Sequence, residues 1–258
     1  MAADTSAARQ GDHYDEILDE YDAHYGDATS REYRRRFFLA PLLHGVDLND
    51  LDVADLAAGS GHTTLELQAL FPRIRPVGFD VSEHAVHTYA SRTGCVAHQW
   101  DLAGKASWPE VFDAAIVVGG LHHCVSGLDN ALRNVAHMLK PGGLFLIVEP
   151  NRDTWLEPLR QLWYRRDHYF ESSTEAALSY DELSWSGRTW FDTLSVQYMG
   201  GPAYFLVYNS LVFRLPLALK RATASLLMAL EGVTNKLPWR GVFPYFIARW
   251  RRRPHAAL

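Results

Sequence analysis

Between residues 51 and 150 short apolar runs alternate with stretches of helical periodicity. LDVADL (51–56), VGFD (77–80), CVAHQW (95–100), FDAAIVVGG (112–120) and GLFLIVEP (143–150) read as strands. Most are apolar throughout rather than alternating, as expected of strands covered on both faces. GSGHTTLELQAL opens a helix behind the first strand, SEHAVHTYASR a second one capped by Ser82, and LDNALRNVAHML (128–139) a third. Strands alternating with helices imply a parallel sheet with right-handed crossovers. The flanks differ. Residues 14–44 look helical, with Tyr14, Ile17, Leu18 and Tyr21 at i, i+3, i+4, i+7 spacing. Residues 204–232 hold two apolar helical stretches parted by Pro216. DTLSVQYMG (192–200) and FPYFIARW (243–250) add two late strands. The pattern predicts a seven-stranded, mostly parallel α/β sheet with helices on both faces. A helical cap (1–48) precedes the core (49–150), and a helical insertion within 151–258 precedes the last strand.

At 258 residues, with 48% hydrophobic and 21% charged residues, the chain suits one globular domain. That composition excludes a disordered, collagen-like or disulfide-scaffold chain. Cys95 and Cys124 lie far apart with no CxxC, which fits free thiols in a reducing, cytoplasmic setting. MAADTSAARQGD carries no apolar h-region. The most apolar run, 203–219, contains Asn209, Arg214 and Pro216, so no membrane span is expected. A net charge of −5 gives no reason to expect nucleic acid. Charge is uneven, with acids and no Lys or Arg over 12–27, and Arg249, Arg251, Arg252 and Arg253 near the end. Solvated ends are the plain reading; a basic tail touching an anionic membrane or substrate is the sharper one.

Candidate chemistry gathers at strand ends. Asp55-Leu56-Ala57-Ala58-Gly59-Ser60-Gly61-His62 joins the first strand to the first helix. Glycines there permit a sharp turn and close approach of a ligand, and the helix behind them offers free N–H groups. Ligands of open α/β sheets bind at the carboxyl ends of strands. Position 64 is Thr, so G-x-G-x-x-G fails at its third glycine. Asp55 inside the loop would repel a pyrophosphate but suits an amino-bearing ligand. Asp80 ends the second strand and can accept from a ribose diol. Asp101 follows the third strand and can accept from an exocyclic amine. The three acids describe a ligand with an amino group, a ribose and an adenine, and no phosphate.

With these motifs the chain resembles the class I S-adenosylmethionine-dependent methyltransferases. DLAAGSGH resembles their glycine-rich first motif, GFD the acidic end of strand two, and WDL the acid after strand three. FDAAIVVGGLHHC resembles the fourth motif, and LKPGGLFLIVEP the fifth-strand motif. The likeness covers roughly 50–150, in order. Ala57 departs from it, because the family often has Gly there. The resemblance implies a Rossmann-like, doubly wound fold. It further implies S-adenosyl-L-methionine as cofactor, S-adenosyl-L-homocysteine as product, and a small-molecule acceptor as partner. It places Gly59 and Gly61 against the cofactor's amino acid end, Asp80 on the ribose and Val81 beside the adenine. Asp101 and Leu102 would frame the adenine, and Gly119 would line the pocket below the sulfonium. EYDAHYGDATSREY (20–33) resembles a Tyr-rich helix of small-molecule members that closes over the methionine carboxylate. It makes Tyr21 the first candidate there, followed by Tyr25, Arg31 and Tyr33.

His122 and His123 follow the fourth strand, beside the expected position of the methyl group. Methyl transfer needs chiefly proximity and orientation. A base is required when the acceptor is a hydroxyl or an acidic carbon, and histidine suits that work. His123 is favoured over His122, and a loop feature without chemistry is the alternative. Adjacent side chains diverge, so His122-His123-Cys124 is no metal site. The aromatic residues from Trp155 to Phe205, among them Trp163, Tyr164, Tyr169, Phe170, Trp185, Trp190 and Phe191, suit an apolar or amphipathic acceptor, or plain packing. Arg152, Arg160, Arg165 and Arg166 could pair with an acidic group on it. Competing readings are non-methylating chemistry on the same cofactor (cyclisation, decarboxylation or a pericyclic step), an NAD(P)-dependent oxidoreductase, and a scaffold. A homodimer and a peripheral membrane contact stay open.

Overall fold

The structure is a computed structural model that describes residues 22–105, 108–164 and 176–254. Its centre is a seven-stranded sheet in the order β3-β2-β1-β4-β5-β7-β6. The strands are β1 (Asp52–Leu56), β2 (Arg75–Asp80), β3 (Ala97–Gln99), β4 (Phe112–Val118), β5 (Leu139–Pro150), β6 (Phe191–Met199) and β7 (Tyr245–Arg252). β1 to β5 run parallel, and β7 is antiparallel to both β5 and β6. The order reverses between β1 and β4. Both strands therefore send their following loops to one edge, where a crevice opens.

The chain enters through α1 (Ala28–Tyr33), a π-turn over Arg34–Leu39 and α2 (Ala40–Leu42). Asp27 caps α1 by accepting from the Ser30 N–H. The crossovers are α3 (His62–Leu70), α4 (Glu83–Thr93) and α5 (Leu128–Met138). Ser82 caps α4 as expected, accepting from the Ala85 N–H at 2.9 Å. After β5 come α6 (Glu157–Tyr164) and α7 (Tyr180–Gly187), and between β6 and β7 a π-turn (Tyr204–Tyr208) and α8 (Leu217–Thr234). Pro216 stands just before α8, where its missing N–H costs nothing.

Two apolar layers cover the sheet. One packs Leu132, Val135 and Leu183 against Phe145, Phe246 and Trp250. The other packs Tyr33, Phe38 and Met228 against Ile116, Leu146 and Tyr245. Two strands differ from the expected bounds. β3 is an edge strand with one neighbour, and it shortens from 95–100 to 97–99. β5 starts at Leu139 rather than 143, pairing with Phe112 across an irregularity before Ala114. The forecast helix over 14–44 is met at 22–25 and again from Ala28 to Leu42, and Tyr14, Ile17, Leu18 and Tyr21 lie outside the described residues.

Candidate active site

Beyond Leu56 the chain turns through Ala57–Gly61 into α3. Ala57 (φ 49°), Gly59 (φ 52°) and Gly61 (φ 84°) all take left-handed backbone. At Gly61 a Cβ would fall 2.6 Å from Thr93 Cγ2, so φ and space both demand glycine. Ala57 adopts the same region with a methyl group, which explains the family's preference for Gly at that point. The Gly59 N–H donates to Asp80 Oδ2 at 2.8 Å, and the Ser82 N–H to Asp80 Oδ1 at 3.0 Å. Asp80 therefore ties the loop after β1 to the loop after β2.

These loops form one wall of a cleft of about 1220 Å³, its open mouth included. Ala57, Gly59, Asp80, Val81, Asp101, Leu102 and Gly119 all line it. Asp101 is held by the Ala103 N–H at 2.9 Å. Burial pushes the Asp80 carboxyl up, opposed by its N–H donors and by nearby His123. Gly61 sits behind the wall against Tyr89 and Thr93. Asp55 also stands behind it and is not among the lining residues. Its carboxylate accepts from Thr64 Oγ1 at 2.7 Å, and Thr64 meets the Tyr89 hydroxyl at 2.8 Å. Burial pushes the Asp55 carboxyl up to about 7; Thr64 and Arg34 oppose that and Asp80 adds to it.

The cap meets the cleft through residues only partly legible in sequence. Tyr21 lies outside the described residues. Tyr25 lines the cleft and donates to Asn209 Oδ1 at 3.0 Å. Arg31 is exposed, and Tyr33 is buried against Glu231. The unforeseen residue is Arg34. It is 3% exposed and lines the cleft. Its Nη2 donates to the Tyr25 carbonyl at 3.2 Å, while Nη1 has no hydrogen-bond partner among the described residues. Its signal was a lone charge on the stripe Ser30, Tyr33, Arg34, Phe37, Phe38, all buried and at helical spacing. Asp22 adds a clasp, accepting from Ser60 and Arg92 and meeting His62 Nε2 at 2.9 Å.

After β4 the chain is clamped by Glu149, which is 1% exposed. The carboxylate accepts from the N–H groups of Gly120 (2.8 Å), Leu121 (2.7 Å) and His122 (3.3 Å), and meets His122 Nδ1 at 2.8 Å. A buried carboxylate with four such contacts fixes the turn and the orientation of the imidazole. The two imidazoles lie against each other, ring centroids 3.9 Å apart. His123 lines the cleft and His122 is not among its lining residues. Burial pushes the Cys124 thiol up to about 12, so it stays protonated and is no nucleophile. Among the described residues no group of three or more His, Cys, Asp or Glu could hold a metal ion.

The aromatic residues that the sequence offers for an acceptor are spread over several environments. Phe191 is in the core, Trp155 and Trp185 are exposed, and Tyr208 joins Tyr25 in the cleft instead. Arg152 and Arg160 pair with Glu182 and Glu157. Arg165, Arg166, Tyr169 and Phe170 lie outside the described residues, as do the side chains of Trp163 and Tyr164.

Comparison with known proteins agrees with this geometry. Residues 54–145 match the family described as a methyltransferase domain. Over 118 residues the chain is 30% identical to a ubiquinone/menaquinone biosynthesis C-methyltransferase of Syntrophotalea carbinolica. That match covers 44% of this chain and 48% of the relative, so the chain spans about half the length of that protein. Among solved structures, N-methyltransferase NodS from Bradyrhizobium japonicum, in complex with S-adenosyl-L-homocysteine, is 15% identical with a TM-score of 0.58. The match covers 93% of this chain and 98% of that one. The [4+2]-cyclase SpnF is 17% identical with a TM-score of 0.65, over 96% of both chains. Residues 54–145 are thus similar to a methyltransferase domain, and the chain has the Rossmann-like fold seen in solved S-adenosylmethionine-dependent methyltransferases.

Proposed function

We propose that this protein transfers a methyl group from S-adenosyl-L-methionine to a small, apolar or amphipathic acceptor, at oxygen, carbon or nitrogen. One observation carries the reading. A single cleft has Arg34, buried and with Nη1 unpartnered among the described residues, on its cap side and Asp80 and Asp101 on its sheet side. A ligand with a carboxylate at one end and an adenosine at the other fits that distribution of charge. When bound, the cofactor supplies a methyl group made electrophilic by its sulfonium. The protein's part is positioning. The Arg34 guanidinium would hold the carboxylate, a charge-assisted contact. Asp80 would accept from the ribose hydroxyls with the lone pairs that Gly59 and Ser82 leave, while Val81, Asp101 and Leu102 frame the adenine. Tyr25 and Tyr208 would close the cleft from the cap side and exclude water. His123 would take the proton that an acceptor hydroxyl or acidic carbon releases. Glu149 and His122 would hold the turn that presents it.

An NAD(P)-dependent reaction is disfavoured, because Thr64 replaces the third glycine of the dinucleotide fingerprint. The likeness in fold to a [4+2]-cyclase keeps a second reading in view, with the cofactor bound but not consumed. Calorimetric titration with S-adenosyl-L-homocysteine, with NADH as control, tests the cofactor. Micromolar binding of the first alone is expected. Asp80→Ala and Arg34→Leu should each weaken it by about 1.5–3 kcal/mol, the loss of a hydrogen bond to a charged group. NADH binding alone, or unchanged affinity in both variants, sinks the assignment. Product mass then separates the two chemistries, since only methylation leaves the acceptor one CH₂ heavier.

A further inference from the structure

α8 is oriented against the usual rule. Its polar anchors face inward. Lys220, 0% exposed, donates from Nζ to the His24 carbonyl and to Ser30 Oγ, and lies 2.9 Å from Asp27. Glu231, also 0% exposed, accepts from the N–H groups of Ala203 (2.8 Å) and Tyr204 (3.0 Å) and from the Tyr33 hydroxyl. These bonds fix the helix's rotation and turn its opposite face to solvent. That face carries Leu219, Leu226 (66% exposed), Leu230 and Val233 (64%), with Leu237 just beyond the helix. A run of exposed apolar side chains about four turns long marks a contact surface.

The charges beside it say what kind of surface it meets. Glu231 is the only acidic residue after Asp192, and it is buried. Lys236 and Arg240, just past the helix, are exposed. At the C-terminal end of the helix stand Trp239 (59% exposed) and Trp155 (72%), the latter joined to the Gly241 carbonyl by its N–H at 2.8 Å. Leucines outward, with cations and tryptophans at one end, match a helix lying in a bilayer interface. No described helix is long and apolar enough to cross a membrane.

We propose that the outward face of α8, with Trp155 and Trp239, docks this protein on an anionic lipid surface. The π-turn that supplies Tyr208 to the cleft is bonded to Glu231 on the inner face of this helix. Docking would therefore hold the cleft close to the bilayer.

The test is co-sedimentation of the full chain with phosphatidylcholine vesicles, with and without phosphatidylglycerol, alongside analytical ultracentrifugation. Binding to the anionic vesicles is expected, with binding to the neutral ones weaker by more than about tenfold, and the free protein should be a monomer. Leu226→Gln/Val233→Gln should abolish binding while leaving the unfolding midpoint and S-adenosyl-L-homocysteine affinity unchanged. No binding, equal binding to both vesicles, equal binding by the variant, or a dimer that the variant dissociates would each overturn the proposal.

Discussion

Burying Asp55 behind the glycine loop makes its proton part of the protein's stability. The folded value is about 7, against about 3.9 for an unfolded Asp. Between those values the folded state holds a proton that the unfolded state has released. Stability from this group is therefore present at low pH and declines as pH rises through that window. Asp55→Asn keeps an acceptor for Thr64 and removes the titration. Its unfolding midpoint should fall less than that of the parent between pH 5 and pH 8, and parallel profiles would refute this account. Beside the cleft, His123→Ala should lower kcat while leaving S-adenosyl-L-homocysteine affinity intact, if His123 takes the acceptor's proton. The expected loss is about 10²–10⁴-fold, and undiminished turnover would remove His123 from that role.

Elements are placed by a few buried polar contacts as much as by apolar burial. α8 is the clearest case, since Leu226 and Val233 face solvent while Lys220 and Glu231 face the core. The alternative rotation would bury the leucines but strand those two charges, and an unpaired buried charge costs far more than an exposed leucine. Glu231→Ala leaves two backbone N–H groups without an acceptor and the Tyr33 hydroxyl with only the Tyr245 hydroxyl, 3.3 Å away. At about 1–3 kcal/mol per unsatisfied group, it should cost roughly 3 kcal/mol or more in urea unfolding, and a loss under 1 kcal/mol would contradict the anchoring. The β4–β5 end works alike, because Glu149 holds three consecutive N–H groups that the turn leaves unpaired.

At the scale of the molecule, the sheet and the cap divide the site between them. The sheet supplies Asp80, Asp101 and Gly119 from the ends of neighbouring strands, and the cap supplies Tyr25 and Arg34. Asp22 joins the two, bonded to Ser60 and His62 at the glycine loop and to Arg92 on α4. Burial raises the Asp22 carboxyl, but the bonds from His62, Arg92 and Ser60 outweigh it and hold the group well below the usual carboxylate range. The vesicle experiment belongs to this scale too, since it asks whether the whole molecule presents its cleft to a bilayer.

Sheet, crossover helices and glycine loop were legible because each depends on residues close in sequence: apolar runs, Ser82 as a cap, glycines with φ above zero. Asp80 and Asp101 were legible because parallel strands must end at one edge, so an acid after each strand reaches one crevice. Arg34, Glu149 and Tyr208 were not, since each acts on residues distant in sequence. Arg34 belongs to no motif in the sequence, and Glu149 reads only as part of the strand 143–150. Sequence alone determined that this chain winds a mostly parallel sheet with a glycine-rich loop after its first strand. Only the tertiary structure decided that Arg34 turns inward, that Asp55 stands behind the loop, and that the leucines of α8 face out. Periodicity records how much apolar surface an element carries, whereas pairing of buried charges, set by packing across the chain, decides which way that surface turns.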